Sequence, residues 1–600
     1  MTKHQAPRRS YFAPLLAASL AVALLSGCAM TQVQDEATIL APVSSAELNR
    51  AKALETQGKS ADAAKVYLDL ATKAQPPAQA QLQIKAAQAY LAAGQTSQAG
   101  RTMDAIAQPS LTAGQREILL LTQADLALIT DRPKDAITAL ERMQTRGLPK
   151  DLKAKRLGTL ASAQRLSNDP VAAARTLDEL DGLLEDNNAR LVNQLSLVST
   201  LSGISQTQLQ TLSHQGSGRM KGWAEISLIA RQHGADPKQL DTQYQQWKQR
   251  HGGHPALATL GRAYADTLTG GYQASDKVVV VLPRSGRFAA AAKVIQDGIE
   301  AASRADSGGQ RPALDFSSSS SATTRKGVDY VIGPLEKSSV DALLSKRSLA
   351  VPTLALNEAT RSTQVTNLFQ FSLSPENEAA EVASKAAAMG AKRALVLYPK
   401  DAWGERLASA FRRQWSNLGG TVTGQASFDP SWSSYDKTLG SLLKGKDADM
   451  LFLVATAKMA RKIYPQILAA TDKPLPVIST SHVYTGNPGE AADQALVGLY
   501  FVDIPWMLDN TNSGPLSRRG SSAASGPLAR LYAMGIDAYR VTPRLTSLAK
   551  SPGAYYPGQT GGLSIDSLGR VTRQLELGRF TKGGPQAADS LDGGLSEKRP

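Results

Sequence analysis

The chain has 600 residues and a mass of 63.6 kDa, and at roughly 150 residues per domain it is too long for one compact core. Apolar residues at 42% and charged residues at 20% are the composition of folded globular protein, which excludes a disordered or collagenous chain. The net charge is +15 with a single cysteine, so disulfide scaffolds, cysteine-ligated zinc and iron–sulfur clusters are excluded, and beyond the N-terminus no run of eighteen apolar residues exists to build a polytopic membrane protein.

Lys3, Arg8 and Arg9 precede the apolar run 13–25, followed by the small residues Ser26 and Gly27, which is the pattern of an export signal. The run is too short to span a bilayer comfortably, and it ends on the lone cysteine. Leu25-Ser26-Gly27-Cys28 resembles the bacterial lipobox. That resemblance implies cleavage after residue 27, a diacylglycerol on the Cys28 sulfur and an acyl group on its freed amine, with no other cofactor. Three chains anchor stably where one does not. Ala29, in place of the aspartate that usually retains such lipoproteins in the inner membrane, implies the outer membrane, facing the periplasm. Export removes nucleic acid as a natural partner. Without the signal's three positive residues the charge falls to 64 − 52 = +12, with no block of five like charges, which reads as a mildly basic solvated surface. Residues 28–43 are expected to form a lipidated tether reaching about 50 Å.

From 44 to 270 the apolar spacing is helical throughout, and one unit recurs. Turns at Gly58, Gly94, Asp131 and Asn168 step by 36, 37 and 37 residues, each followed five residues later by an alanine: Ala63, Ala99, Ala136 and Ala173. This period resembles tetratricopeptide helix pairs, in which a small residue lets the second helix approach its neighbour. Tyr67 and Tyr90 are expected to pack between helices. After about residue 212 the repeat degrades, although 223–233 and 236–250 still read as a helix pair. Such a solenoid serves either as a groove for peptides or proteins or as a rigid spacer, and both readings stay open.

From 276 to 580 strands alternate with helices: strands at 277–282, 330–332, 352–356, 394–398, 450–454 and from 477, and helices at 288–302, 338–345, 378–389, 405–418 and 457–469. That alternation predicts parallel sheets covered on both faces. KVVVVLPRSGRFAAAAKVIQDGIEAA, YVIGPLEKSSVDALL and GAKRALVLYPKDAWGERLASAF, in that order, resemble the bilobed type I periplasmic binding-protein fold. Residues 317–324 and 510–525 read as surface loops, 555–562 as turn-rich, and 581–600 as a disordered tail.

No P-loop, zinc-protease motif or nucleophile elbow is present, so no catalytic residue is assigned and the chain is not read as an enzyme. His251-Gly-Gly-His254 reads as a flexible loop of two imidazoles with no nearby carboxylate, a poor metal site, so none is assigned. In an open α/β lobe ligands sit at the carboxyl ends of strands. The candidate cleft residues are therefore Ser285, Gly286, Leu335, Glu336, Leu356 and Asn357 from the first lobe, with Trp403 and His482 from the second. Amino-acid receptors of this fold place small hydroxyl residues beside the ligand carboxylate, where this chain has Leu335 and Leu356. A docking scaffold or a closed cleft is the expectation, with a receptor for a small amino acid or peptide as the alternative.

Lipobox, solenoid and bilobed domain in this order, with LYAMGIDAY (531–539) and GLSIDSLGR (562–570), resemble the outer-membrane lipoprotein activators of class A penicillin-binding proteins. The resemblance implies a non-catalytic regulator that reaches through peptidoglycan, docks on the bifunctional synthase and stimulates its transpeptidase activity.

Overall fold

The computed structural model describes residues 36–591 apart from 131, 168, 205, 234–236, 269–270, 307–308, 310, 347, 362–364, 472–474, 488, 510–515, 520–524, 550–555, 567 and 589. The signal, Leu25, Ser26, Gly27, Cys28 and residues 592–600 lie outside the described residues.

The first element, α1 (Glu36–Leu40), buries Ile39 and Leu40, and Glu36 pairs with Lys85 at 2.7 Å. This corrects the expected tether 28–43. Its apolar pair folds onto the helical stack, so the expected tether does not extend through residues 36–40. Four helix pairs follow: α2 (Ser45–Thr56) with α3 (Ser60–Lys73), α4 (Ala78–Ala92) with α5 (Thr96–Asp104), α6 (Ala113–Ile129) with α7 (Pro133–Glu141), and α8 (Lys150–Leu166) with α9 (Pro170–Asp181). The turns before α3 and α5 need the left-handed backbone that Gly58 (φ +74°) and Gly94 (φ +71°) supply. Prolines open α7 and α9, where a missing N–H costs nothing. Ala63, Ala99, Ala136 and Ala173 are all fully buried, as helices that approach closely require. The first helices of successive pairs are joined by Gln115 Nε2 to Gln81 Oε1 (3.3 Å), Gln88 Nε2 to Thr122 Oγ1 (3.2 Å) and Thr159 Oγ1 to Asp125 Oδ1 (3.4 Å), each spanning 34 residues. This is a tetratricopeptide-like solenoid. Tyr67 and Tyr90 are both buried in it. Five more helices close the stack around Trp223, Tyr244 and Trp247: α10 (Asn187–Ser202), α11 (Gln206–Gln215), α12 (Arg219–His233), α13 (Pro237–Arg250) and α14 (Leu260–Thr267).

The α/β part begins with β1 (Lys277–Val281), α15 (Ala289–Ala305), β2 (Ala313–Ser317), β3 (Tyr330–Ile332), α16 (Lys337–Leu343), β4 (Ser348–Ala355) and β5 (Thr366–Gln370). These form a first lobe around a parallel sheet of order β2-β1-β3-β4-β5. The chain then crosses to a second lobe: α17 (Pro375–Ala388), β6 (Arg393–Pro399), α18 (Ala402–Asn417), β7 (Thr421–Phe428), α19 (Asp436–Leu443), β8 (Met450–Leu453), α20 (Ala457–Ala470), β9 (Val477–Ser479), β10 (Tyr500–Asp503) and α21 (Pro505–Leu508). A second crossing returns α22 (Ala529–Val541) to pack on α15, followed by α23 (Leu545–Ala549). An antiparallel sheet of β11 (Tyr556–Gly558), β12 (Gly561–Ile565) and β13 (Val571–Gln574) leads through a third crossing into β14 (Glu576–Thr581) and β15 (Gly584–Ala587). The second sheet runs β15-β14-β10-β9-β8-β6-β7. Two sheets linked by three crossings are the bilobed binding-protein architecture. The central strands, such as MLFL of β8, are buried along their whole length because helices cover both faces.

Several expectations are corrected. β2, β5, β7 and β10–β15 were not anticipated. β2 and β7 interleave exposed or half-buried polar residues with few apolar ones, so no continuous apolar run announces them. The tail from 581 is not wholly disordered: β15 pairs with β14, Pro585 opposite Phe580, and Leu591 is buried. An edge strand tolerates a proline that a central strand would not, which is why a Gly/Pro-rich composition misled. Of the loop 510–525, the described Leu516 and Arg518 are buried, with Arg518 donating to Met507 O (2.7 Å) and Gly486 O (2.7 Å). Residues 320–324, expected in a loop, form a 3₁₀ turn, and the turn-rich stretch belongs to the β11–β12 hairpin, which runs from Tyr556 to Ile565.

Candidate functional site in the interlobe cleft

In the first lobe the loops after β3 and β4 are stitched to each other. Gly333 N donates to Leu354 O (2.7 Å), Leu356 N to Pro334 O (2.9 Å) and Asn357 Nδ2 to Leu335 O (3.1 Å). Gly333 is obligatory: it takes φ +104°, and a Cβ there would lie 2.2 Å from Val281 O. Leu356 is buried and Leu335 half-buried. Glu336 stands at the start of α16 without a side-chain capping bond. Ser285 and Gly286 lie apart on the exposed turn after β1, where Gly286 (φ +79°) reverses the chain. In the second lobe Trp403 and His482 meet edge to face, ring centres 5.4 Å apart, and His482 Nδ1 lies 3.1 Å from Thr480 Oγ1 and 3.6 Å from Glu378 Oε2. Thus Leu335, Leu356 and Asn357 converge, as do Trp403 and His482, but no hydrogen bond or ring contact joins the two groups among the described residues.

The polar chemistry sits deeper, in residues that sequence reasoning missed. Glu378, buried in the first turn of α17, accepts from Ser481 N (3.1 Å) and Ser481 Oγ (2.8 Å). Asp503, fully buried at the end of β10, holds Arg530 through Nε–Oδ1 (2.8 Å) and Nη2–Oδ2 (2.5 Å). Glu358, one residue past Asn357, accepts from Ser372 Oγ (2.6 Å) and Asn377 Nδ2 (3.1 Å). One signal was legible: an aspartate closing the otherwise apolar run YFVD is a charge in a fully buried strand, and such a charge needs a partner. In α22, Asp537 accepts from Gln559 N (2.7 Å), Thr560 N (2.7 Å) and Thr560 Oγ1 (2.6 Å), which pins the β11–β12 hairpin, and burial raises its carboxyl to about 6.

The two close histidines are also corrected. Glu225 of α12 does lie near them: its Oε2 takes Trp247 Nε1 (2.7 Å) and stands 3.5 Å from His251 Nε2. No group of three or more potential metal ligands occurs among the described residues. His254 packs edge-on against Trp223 and Trp247, with Nε2 3.0 Å from Arg219 O and Nδ1 3.3 Å from the N–H of Ala256. This places the ring proton on Nε2 and makes Nδ1 an acceptor. Burial holds this imidazole below the ordinary histidine range, with Lys248 and His251 adding to the effect and Arg219 O and Asp178 opposing it. A group depressed in the fold takes up its proton first in the unfolded chain, so its stabilisation is present above about pH 6.5 and is lost as the pH falls below it. Between pH 7.5 and 5, thermal unfolding of His254→Gln is expected to show a smaller fall in midpoint than the parent. Equal slopes would mean that His254 is not linked to stability.

A lobed cleft whose strand-end polar groups are bonded to one another, carried behind a helical solenoid, defines a two-domain relative of the bilobed binding proteins. Residues 57–432 and 433–583 match the family described as "LppC putative lipoprotein", and the chain belongs to that family. The Penicillin-binding protein activator LpoA of Photobacterium profundum is 27% identical over 597 residues, covering 91% of this chain and 95% of the relative. The protein of the same name from Vibrio cholerae is 26% identical over 554 residues, covering 85% and 91%. Full-length LpoA from Haemophilus influenzae superposes with a TM-score of 0.46 at 22% identity, covering 88% of this chain and 98% of that one. A putative branched-chain amino acid ABC transporter structure from Chromobacterium violaceum covers 51% of this chain at 29% identity and a TM-score of 0.43.

Proposed function

We propose that this protein is a lipid-anchored, non-catalytic regulator of peptidoglycan synthesis that docks on a bifunctional class A penicillin-binding protein and stimulates its transpeptidase activity. The observation that carries this reading is collinear similarity to named penicillin-binding protein activators through solenoid and bilobed domain alike, over 91% of the chain. In this reading Cys28 carries the N-acyl and S-diacylglycerol groups in the outer membrane and the body of the protein faces the periplasm. Peptidoglycan is what it passes through, and no nucleic acid is involved. The cleft supports a docking role: Leu335 and Leu356 stand where a receptor would offer hydroxyl donors, and Glu378 and Asp503 are already occupied by Ser481 and Arg530. Activation requires tighter binding to the active than to the inactive synthase, and a tenfold preference needs only about 1.4 kcal/mol.

The test uses the soluble chain from Ala29, a purified class A synthase and labelled lipid-linked precursor. A rise in peptide cross-links per glycan strand is expected when the chain is added. No rise, together with no binding in a pull-down, would sink the regulator reading.

A further inference from the structure

The third crossing between the lobes carries two buried polar atoms with no hydrogen-bond partner among the described residues, Arg573 Nη1 and Glu576 Oε2. Arg573 is 9% exposed, and Glu378 and Glu381 of α17, Asp503 of β10 and Glu358 beyond β4 act on its charge without bonding to it. Those carboxylates come from both lobes and from the segments flanking the first two crossings. A buried guanidinium nitrogen left without a partner is costly, and such an orphan marks stored strain or a second arrangement in which it is satisfied.

The chain is gripped just after Arg573, where β13 passes into β14. Leu575 N donates to Glu381 Oε2 of the second lobe (3.0 Å). Glu576 Oε1 accepts from Arg231 Nη2 of α12 (2.8 Å), a pair whose side chains are 12% and 6% exposed. Arg231 is rigidly seated, since its Nη1 donates to Ile204 O (2.9 Å) just beyond α10. The solenoid also reaches the second lobe through Lys134 Nζ to Leu418 O (3.0 Å), at the end of α18. The segment that follows it is fastened to the first lobe by Tyr272, whose hydroxyl donates to Tyr539 O (2.7 Å). The solenoid and the segment after it together therefore hold the third crossing and touch both lobes.

We propose that the solenoid sets the angle between the two lobes through the Arg231–Glu576 pair, and that Arg573 is the charge that gains a carboxylate partner when the lobes rotate. Packed interfaces switch between discrete arrangements instead of deforming continuously, and a single ion pair at a hinge biases which is populated. The solenoid is then more than a spacer: whatever binds it acts on the cleft.

With Cys28→Ser the chain has no cysteine, so Lys337→Cys and Lys437→Cys, two exposed positions at the cleft ends of the first and second lobes, accept one spin label each. Pulsed electron paramagnetic resonance on the full mature chain reads the distance between them. A single narrow distance is expected with Arg231 intact. Arg231→Met is expected to add a second population of about 10% or more, and Glu576→Gln, which keeps the side-chain shape, to do the same. Adding Arg573→Met should remove that population. An unchanged single distance in variants that still melt cooperatively overturns the proposal, and if Arg231→Met does not fold, Glu576→Gln decides alone. A second population that persists with Arg573→Met overturns the part assigned to Arg573.

Discussion

Gly535→Ala is expected to lower the thermal midpoint of the bilobed domain by about 5 °C or more, although alanine is the better helix former. α15 and α22 cross at glycine on glycine. A Cβ on Gly535 would lie 2.2 Å from Ile295 O, and one on Gly298 would lie 2.2 Å from Tyr532 O. Both obstacles are backbone carbonyls, so neither can rotate aside, and the helices must separate. Overpacking costs up to about 3 kcal/mol, against about 1 kcal/mol gained in helix propensity. The net loss of about 2 kcal/mol corresponds to several degrees for a domain of this size. Gly440 in α19 is the internal control: a Cβ there meets nothing within 4 Å, so Gly440→Ala is expected to hold or raise the midpoint. If both substitutions move the midpoint upward, the crossing is looser than its geometry says.

Asp503→Ala is expected to cost about 3–5 kcal/mol, the usual penalty for removing one partner of a buried ion pair. Asp503 is fully buried and Arg530 nearly so, and the arginine's other hydrogen bonds go to the carbonyls of Ser481 (3.3 Å) and Tyr484 (3.4 Å), neither of which carries a full counter-charge. Asp503→Leu with Arg530→Met is expected to recover most of that loss, because apolar replacement of a whole buried pair is often neutral. Urea unfolding of the single and double variants measures both terms. A double variant as unstable as the single one would show that the pair is needed for the fold of the second crossing rather than for charge balance.

What the Lys134 and Arg231 contacts add is a reason for the solenoid to be attached where it is. Arg231 and Glu576 are separated by 345 residues, yet they form one of the least exposed ion pairs in the described chain. The solenoid and the third crossing between the lobes are thus joined by a buried ion pair.

Much of the fold was legible because its determinants are local. The repeated turn-plus-alanine unit lies within single helix pairs, and every one of its four alanines is buried. The strand runs KVVVV and MLFL are apolar end to end because both their faces are covered. The strand ends were readable, whereas the bonds that close Leu335, Leu356 and Asn357 on one another depend on how β3 and β4 register. The hinge charges, the edge strand β15 and the docking of Ile39 and Leu40 on the first repeats were decided only by tertiary structure. Each pairs groups far apart in the chain, and no short window of sequence carries the loop closures that bring them together. A helix period is written in a dozen residues, but the partner of a buried charge is written only in the topology.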